Sequence, residues 1–161
     1  MLNIKIAELS DIDSIAALRV EQQIEDWNHT AADKDYSKYA EGFKIITKNY
    51  LLSRLNKSIY FALMYIDASP IAMCALEESG SLPQITLCEN KDLRCGSIVS
   101  VYTKPDFRGR GYQQRLLKSL LSFAKETGFG EITLTTNTPD AKHIYEKSGF
   151  EYISDKYYLK L

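Results

Sequence analysis

No uninterrupted apolar run in this chain reaches the length needed to span a bilayer, and no basic-then-apolar leader opens it. Met1-Leu2-Asn3-Ile4-Lys5 already reads as a first strand, so a cytoplasmic protein without a membrane partner is expected. An excess of either charge is also missing: 20 Lys and Arg against 21 Asp and Glu leave a net charge of -1. That excludes a general attraction to nucleic acid, and any polyanion site must be local. The three cysteines, Cys74, Cys88 and Cys95, lack C-x-x-C spacing, and only two histidines accompany them. They indicate neither a disulfide framework nor a metal centre, so no metal is expected. The dinucleotide pattern G-x-G-x-x-G and the triphosphate-loop pattern G-x-x-x-x-G-K-[ST] are absent as well.

What remains is a composition of 45% hydrophobic and 25% charged residues, that of a single globular domain over residues 1–161. The chain is organised around Ser97 to Leu121. There an apolar, β-branched segment (Ile98, Val99, Val101, Thr103) meets Pro105, then the basic turn Arg108-Gly109-Arg110-Gly111, then a helix with Leu116, Leu117, Leu120, Leu121 and Ala124 on one side. Glycines at 109 and 111 let main-chain amides approach a ligand closely. The helix beginning beside them adds unpaired N–H groups and partial positive charge. This is a site for an anion, and phosphate is the natural choice.

Around it the chain reads as follows. Ile4 to Glu8 alternates like a half-buried strand, and a helix from about Asp11 to about Asp26 carries the stripe Ile12, Ala16, Val20, Ile24, closed by Trp27. A polar connection leads to a second helix, with Tyr39, Phe43, Ile46 and Tyr50 on its expected buried side, ending near Asn56. Ser58 to Ile66 and Ile71 to Leu76 form a hairpin of strands covered on both faces. Residues 77–96 are an irregular excursion with room for a short strand at Ile85-Thr86-Leu87. Glu131 to Thr136 reads as a fifth strand. Thr138 caps a helix that starts at Pro139 and runs to about Ser148, and Phe150 to Ile153 and Lys156 to Leu161 would be the last strands. The fold class is therefore α/β, a mixed, mostly antiparallel central sheet of six to seven strands flanked by about four helices.

Arg108-Gly109-Arg110-Gly111-Tyr112-Gln113, between a strand and a long helix, resembles the pyrophosphate loop [QR]-x-x-G-x-[GA] of the GNAT superfamily of acyl-CoA-dependent N-acyltransferases. Gln113 stands where that pattern has Gly or Ala, so its side chain must turn away from the cofactor or shape its path. Thr135 to Phe150 resembles the family's second segment, N-x-x-A-x-x-x-Y-[EQ]-[KR]-x-G-F, through Asn137, Ala141, Tyr145, Glu146, Lys147, Gly149 and Phe150, with one extra residue after Asn137.

The resemblance implies acetyl-CoA as cosubstrate. The main chain of Val101 and Thr103 would bond the pantetheine arm as an added strand. Amides of the turn holding Arg108, Gly109, Arg110, Gly111, Tyr112, Gln113 and Gln114 would grip the pyrophosphate, and Asn137 would orient the reactive end. The Tyr145 hydroxyl would serve as general acid toward the thioester sulfur. A bulge in the fourth strand would aim the amide of Val101 or Tyr102 at the thioester carbonyl. The family often carries a glutamate on that strand as base, whereas Gly96 to Thr103 holds no carboxylate. Glu77 and Glu78 are the preferred candidates for the base, with Glu25, Asp26 and His29 as alternatives.

The expected function is N-acetyl transfer to a primary amine, on a small molecule or a protein, by direct attack in a ternary complex, since no cysteine is placed as an acyl carrier. The contrasting reading is a sensor or assembly module of the same fold that binds acyl-CoA without turnover. An exposed sheet edge leaves a homodimer open.

Overall fold

A computed structural model describes residues 1–30, 34–79, 94–136 and 139–152. Five strands form one sheet in the order β1-β2-β3-β4-β5: Leu2–Ile6, Ile59–Ile66, Ser69–Glu78, Arg94–Thr103 and Phe129–Thr133. The first four are antiparallel in sequence order, whereas β4 and β5 run parallel, joined by a right-sized crossover through helix α3, Tyr112–Glu126. Three further helices are α1 (Ile12–Thr30), α2 (Ala40–Arg54) and α4 (Pro139–Lys147). The expected class stands, with five strands among the described residues rather than six to seven. Phe150, Glu151 and Tyr152 are not in a strand, and the other segments expected as additional strands lie outside the described residues.

The continuous apolar character of β2 and β3 has the predicted cause, because both faces of the sheet are covered. Alternation sends Tyr60, Ala62, Met64, Ala72, Cys74 and Leu76 toward Leu116, Leu117, Leu120 and Ala124 of α3. It sends Ile59, Phe61, Leu63, Met73 and Ala75 toward Ile15 and Leu18 of α1 and Leu51 of α2. The β2–β3 turn uses Asp67 and Ala68, both at positive φ (47° and 69°), the conformation that matches the twist of a two-residue hairpin.

Two expected helix faces rotate. α1 continues to Thr30 and leaves Trp27 47% exposed. In α2 the stripe that packs is Thr47 and Leu51, so Tyr39 (59%), Ile46 (66%) and Tyr50 (40%) face outward. From Phe43 the apolar steps are +3 to Ile46 and then +4 to Tyr50, but the packed positions lie +4 and +8 away. The helix buries a threonine where the apolar pattern favours isoleucine.

The sheet opens between β4 and β5. β4 pairs with β5 only from Arg94 to Ser97, opposite Phe129 to Thr133, and Ile98 to Thr103 have no strand on that side among the described residues. On its other side β4 carries a bulge. Met73 pairs with Tyr102 and Ala75 with Val99, so Ser100 and Val101 together oppose Cys74. Ser100 sits at φ 55°, in the left-handed region.

Candidate functional site

Beyond the end of β4, Pro105–Phe107 makes one 3-10 turn and the chain enters α3 through Gly109 (φ 73°) and Gly111 (φ 71°). Left-handed φ is accessible to glycine without strain. A Cβ at Gly109 would meet no atom within 4 Å, so the turn is open on its outer side. Gly111 is the N-cap of α3 and has no side chain to cap it, which leaves the first-turn amides without a side-chain acceptor among the described residues.

This turn, the unpaired half of β4 and α4 surround a cavity of about 620 Å³. Val101, Tyr102 and Thr103 line it from β4, and Arg108, Gly109, Gly111, Tyr112, Gln113 and Gln114 from the turn. Tyr145 of α4 lines it too, packed edge to face on Phe150 with ring centroids 6.0 Å apart. Burial, and secondarily the neighbouring Cys74 thiol, raises the Tyr145 hydroxyl above its ordinary pKa, so it stays protonated. Cys74 also borders the cavity, but burial pushes its thiol up to about 12. It is therefore a poor nucleophile at neutral pH.

The basic side chains of the turn are already engaged. Arg108 donates from Nη2 to Glu25 Oε2 of α1 at 2.6 Å and from Nε to the Thr103 carbonyl at 2.9 Å. Lys104 pairs with Glu21 at 3.0 Å, so two glutamates one helical turn apart on α1 hold two cations flanking the short 3-10 turn. Arg110 is exposed, donates to the Asp106 carbonyl at 3.0 Å and does not line the cavity. An anion here would be met chiefly by main-chain N–H groups.

Gln113 turns inward. Its Nε2 donates to the Tyr102 carbonyl (2.6 Å) and Thr103 Oγ1 (2.7 Å), away from the glycine turn. With Gln22 Nε2 on the Val101 carbonyl at 3.2 Å and Arg108 on that of Thr103, each of the last three β4 carbonyls accepts a side-chain donor.

The carboxylates separate into two groups. Glu78 is forked to Arg94 (3.0 and 2.8 Å), which holds its carboxyl below the ordinary range. Glu77 accepts from the Tyr50 hydroxyl at 2.8 Å and lies 3.8 Å from Arg54. Neither lines the cavity, and nor does His29. Among the described residues its acidic lining is Glu25 and Asp26. The Arg108 hydrogen bond holds Glu25 low, whereas burial, then the Glu25 charge, raises Asp26. Asn137 lies outside the described residues.

A model of the acetyltransferase (GNAT) family matches residues 12–150. The chain belongs to that family. No curated protein matches it at a significant level. Among solved structures, a predicted acetyltransferase from Clostridium acetobutylicum, determined with acetyl-CoA, is 24% identical with a TM-score of 0.75, over 99% of this chain and 96% of that one. A GCN5-related N-acetyltransferase from Ralstonia eutropha is 19% identical with a TM-score of 0.74, over 99% of each chain. The glucosamine-6-phosphate N-acetyltransferase of Arabidopsis thaliana is 16% identical with a TM-score of 0.68, over 99% and 98%. These likenesses show that the fold is that of GNAT acetyltransferases.

Sequence reading of this GNAT protein missed the cavity's apolar lining, Phe107, Leu117 and Ile144, and the α1 residues Arg19 and Gln22 that reach β4. The apolar residues look like ordinary core positions. The α1 contacts join residues 81 and 79 positions apart in sequence, and no local pattern announces them.

Proposed function

We propose that the chain transfers an acetyl group from acetyl-CoA to a primary amine by direct attack in a ternary complex. The observation that carries this is the convergence, on one cavity, of an uncapped glycine turn, an unpaired strand edge and a protonated tyrosine.

The residues present suit the donor. The Gly109–Gln114 amides would hold its pyrophosphate, and the open side of β4 at Val101 and Thr103 would bond the pantetheine as an added strand, through the main-chain N–H groups and the second lone pair each carbonyl keeps beside its Gln22 or Arg108 donor. Bound there, acetyl-CoA supplies an acyl carbon activated by a thioester. The bulge amide of Val101 would polarise the acyl oxygen, and Tyr145 would give its proton to the departing sulfur. Because the Cys74 thiol is held protonated, the amine lone pair attacks directly rather than through an acylated cysteine.

An amine with a lysine-like pKa of ~10.4 is neutral in about one molecule in 2,500 at pH 7, so a proton acceptor near it is needed. Glu77 and Glu78 remain candidates from sequence, but the geometry favours Asp26. Its carboxylate borders the cavity, makes no ion pair within 4.0 Å among the described residues, and has a raised pKa. Asp26 would draw in the cationic amine and take its proton.

The test is thiol release from acetyl-CoA against a panel of primary amines, including peptide N-termini. Release that depends on an acceptor supports the reading. Tight acetyl-CoA binding with no release for any amine would favour a sensor instead, and absence of binding would remove both.

A further inference from the structure

α1 reaches across the sheet to grip the β4 bulge. Arg19 Nη1 donates to Ser100 Oγ at 3.0 Å and to Gln22 Oε1 at 2.8 Å. Ser100 Oγ donates in turn to Gln22 Oε1 at 3.0 Å, and Gln22 Nε2 donates to the Val101 carbonyl. Gln22, at the centre of these bonds, is only 9% exposed, and Arg19 and Ser100 are partly buried.

Three features make this more than an anchor for the helix. α1 is already fixed to the sheet by Ile15 and Leu18 in the apolar core and to the turn by the Glu21–Lys104 and Glu25–Arg108 pairs. Arg19 is partly buried with no carboxylate within ion-pair distance among the described residues, and its hydrogen bonds go to the bulge network. Finally, Ser100 occupies a φ of 55° that glycine would take without strain, yet the residue there is one whose hydroxyl completes the network.

The consequence is geometric. Because a peptide unit is planar and trans, holding the Val101 carbonyl also fixes the direction of the Tyr102 N–H. Holding Ser100 from its side chain restrains the preceding plane, which carries the Val101 N–H. The ladder pair of Met73 and Tyr102 turns the Tyr102 N–H toward β3, so the amide that α1 sets to meet the acyl oxygen is that of Val101.

We propose that Gln22 and Arg19 are positioning residues that hold the β4 bulge, through Ser100 and Val101, in the arrangement that aims a main-chain N–H at the acyl carbonyl of the donor. This rests on the acetyl-CoA reading above and adds residues outside both family motifs.

The experiment uses acetyl-CoA labelled with 13C at the acyl carbonyl, bound to the full chain, with the carbonyl stretch read by difference infrared spectroscopy. In the wild type the band moves to lower frequency on binding. In Gln22→Leu and Ser100→Gly it returns at least halfway to the free value, while the acetyl-CoA Kd stays within about threefold. With any accepted amine, kcat falls about 10- to 100-fold in both, the size expected of a small misplacement. A full wild-type shift in either folded variant overturns the proposal, as does a wild type that binds without any shift. If Gln22→Leu does not fold, Ser100→Gly decides, since glycine accepts that φ. A wild type that does not bind acetyl-CoA overturns the functional reading itself, and one that shows the shift but no turnover overturns only the enzymatic reading and leaves the positioning role supported.

Discussion

Gln113 Nε2 lies 2.6 Å from the Tyr102 carbonyl oxygen, so the side chain that departs from the family's Gly or Ala is turned against the strand and not toward the glycine turn. Among the described residues its Oε1 is buried without a partner, which offsets part of what the donated bonds contribute. Gln113→Ala is expected to lower stability by only about 1 kcal/mol in urea denaturation. The thermal shift produced by acetyl-CoA should persist, because the main-chain amides remain.

Removing the Tyr145 hydroxyl separates its chemical role from its packing. Tyr145→Phe retains the ring against Phe150 and is expected to reduce kcat for acceptor-dependent thiol release by about 10²- to 10³-fold. Calorimetry should show little change in the acetyl-CoA Kd. A kcat within threefold of wild type would remove Tyr145 as the acid.

At Gly109 the turn demands φ 73° and leaves open space where a Cβ would stand. Gly109→Val should therefore cost about 1–2 kcal/mol in backbone strain and fill the space a phosphate would approach. The expected result is a loss of at least tenfold in acetyl-CoA affinity, larger than the stability change alone would suggest.

Asp26 gives the reaction a pH dependence of definite sign. Its proton-accepting form exists above a pKa that burial and Glu25 raise, so kcat/KM should fall as pH drops through that value. Asp26→Asn is expected to raise the KM for a cationic amine and remove that acid limb from the profile.

Stability has an acid limb of its own. Asp11 is buried; that opposes ionisation, but bonds from the Glu8 amide (2.9 Å), Lys5 (2.7 Å) and the Tyr65 hydroxyl (3.0 Å) outweigh it, and its pKa is lowered. Glu78 is lowered by Arg94. Both folded values lie below the unfolded ones, so the contribution is complete above about pH 5 and is lost as pH falls through the lower folded values. Asp11→Asn should cost about 1–3 kcal/mol at neutral pH and flatten the acid unfolding curve.

The strand, glycine turn and helix from Ser97 to Leu121 were legible because each is specified locally, by β-branching, by two glycines and by leucines at helical spacing. The two-sided burial of β2 and β3 was legible for the same reason. The packed stripe of α2 was not, since Thr47 is buried against the apolar trend while Ile46 is exposed. Nor was the bulge network, whose members Arg19 and Ser100 are 81 residues apart. The preference for Glu77 and Glu78 followed from their place at the end of β3, but Tyr50 and Arg94, which engage them, come from elsewhere in the chain. The divergence of β4 from β5 left no mark on composition, because Ile98 to Thr103 reads like any paired strand.

That divergence holds the sheet ajar: among the described residues, one side of β4 from Ile98 to Thr103 faces no neighbouring strand. A guest lying there would act as a keystone, supplying the missing half of a ladder and not merely occupying a hollow. Its arrival should accordingly be felt as cohesion through β4, α3 and α4 together, with slower amide hydrogen exchange in segments it never touches.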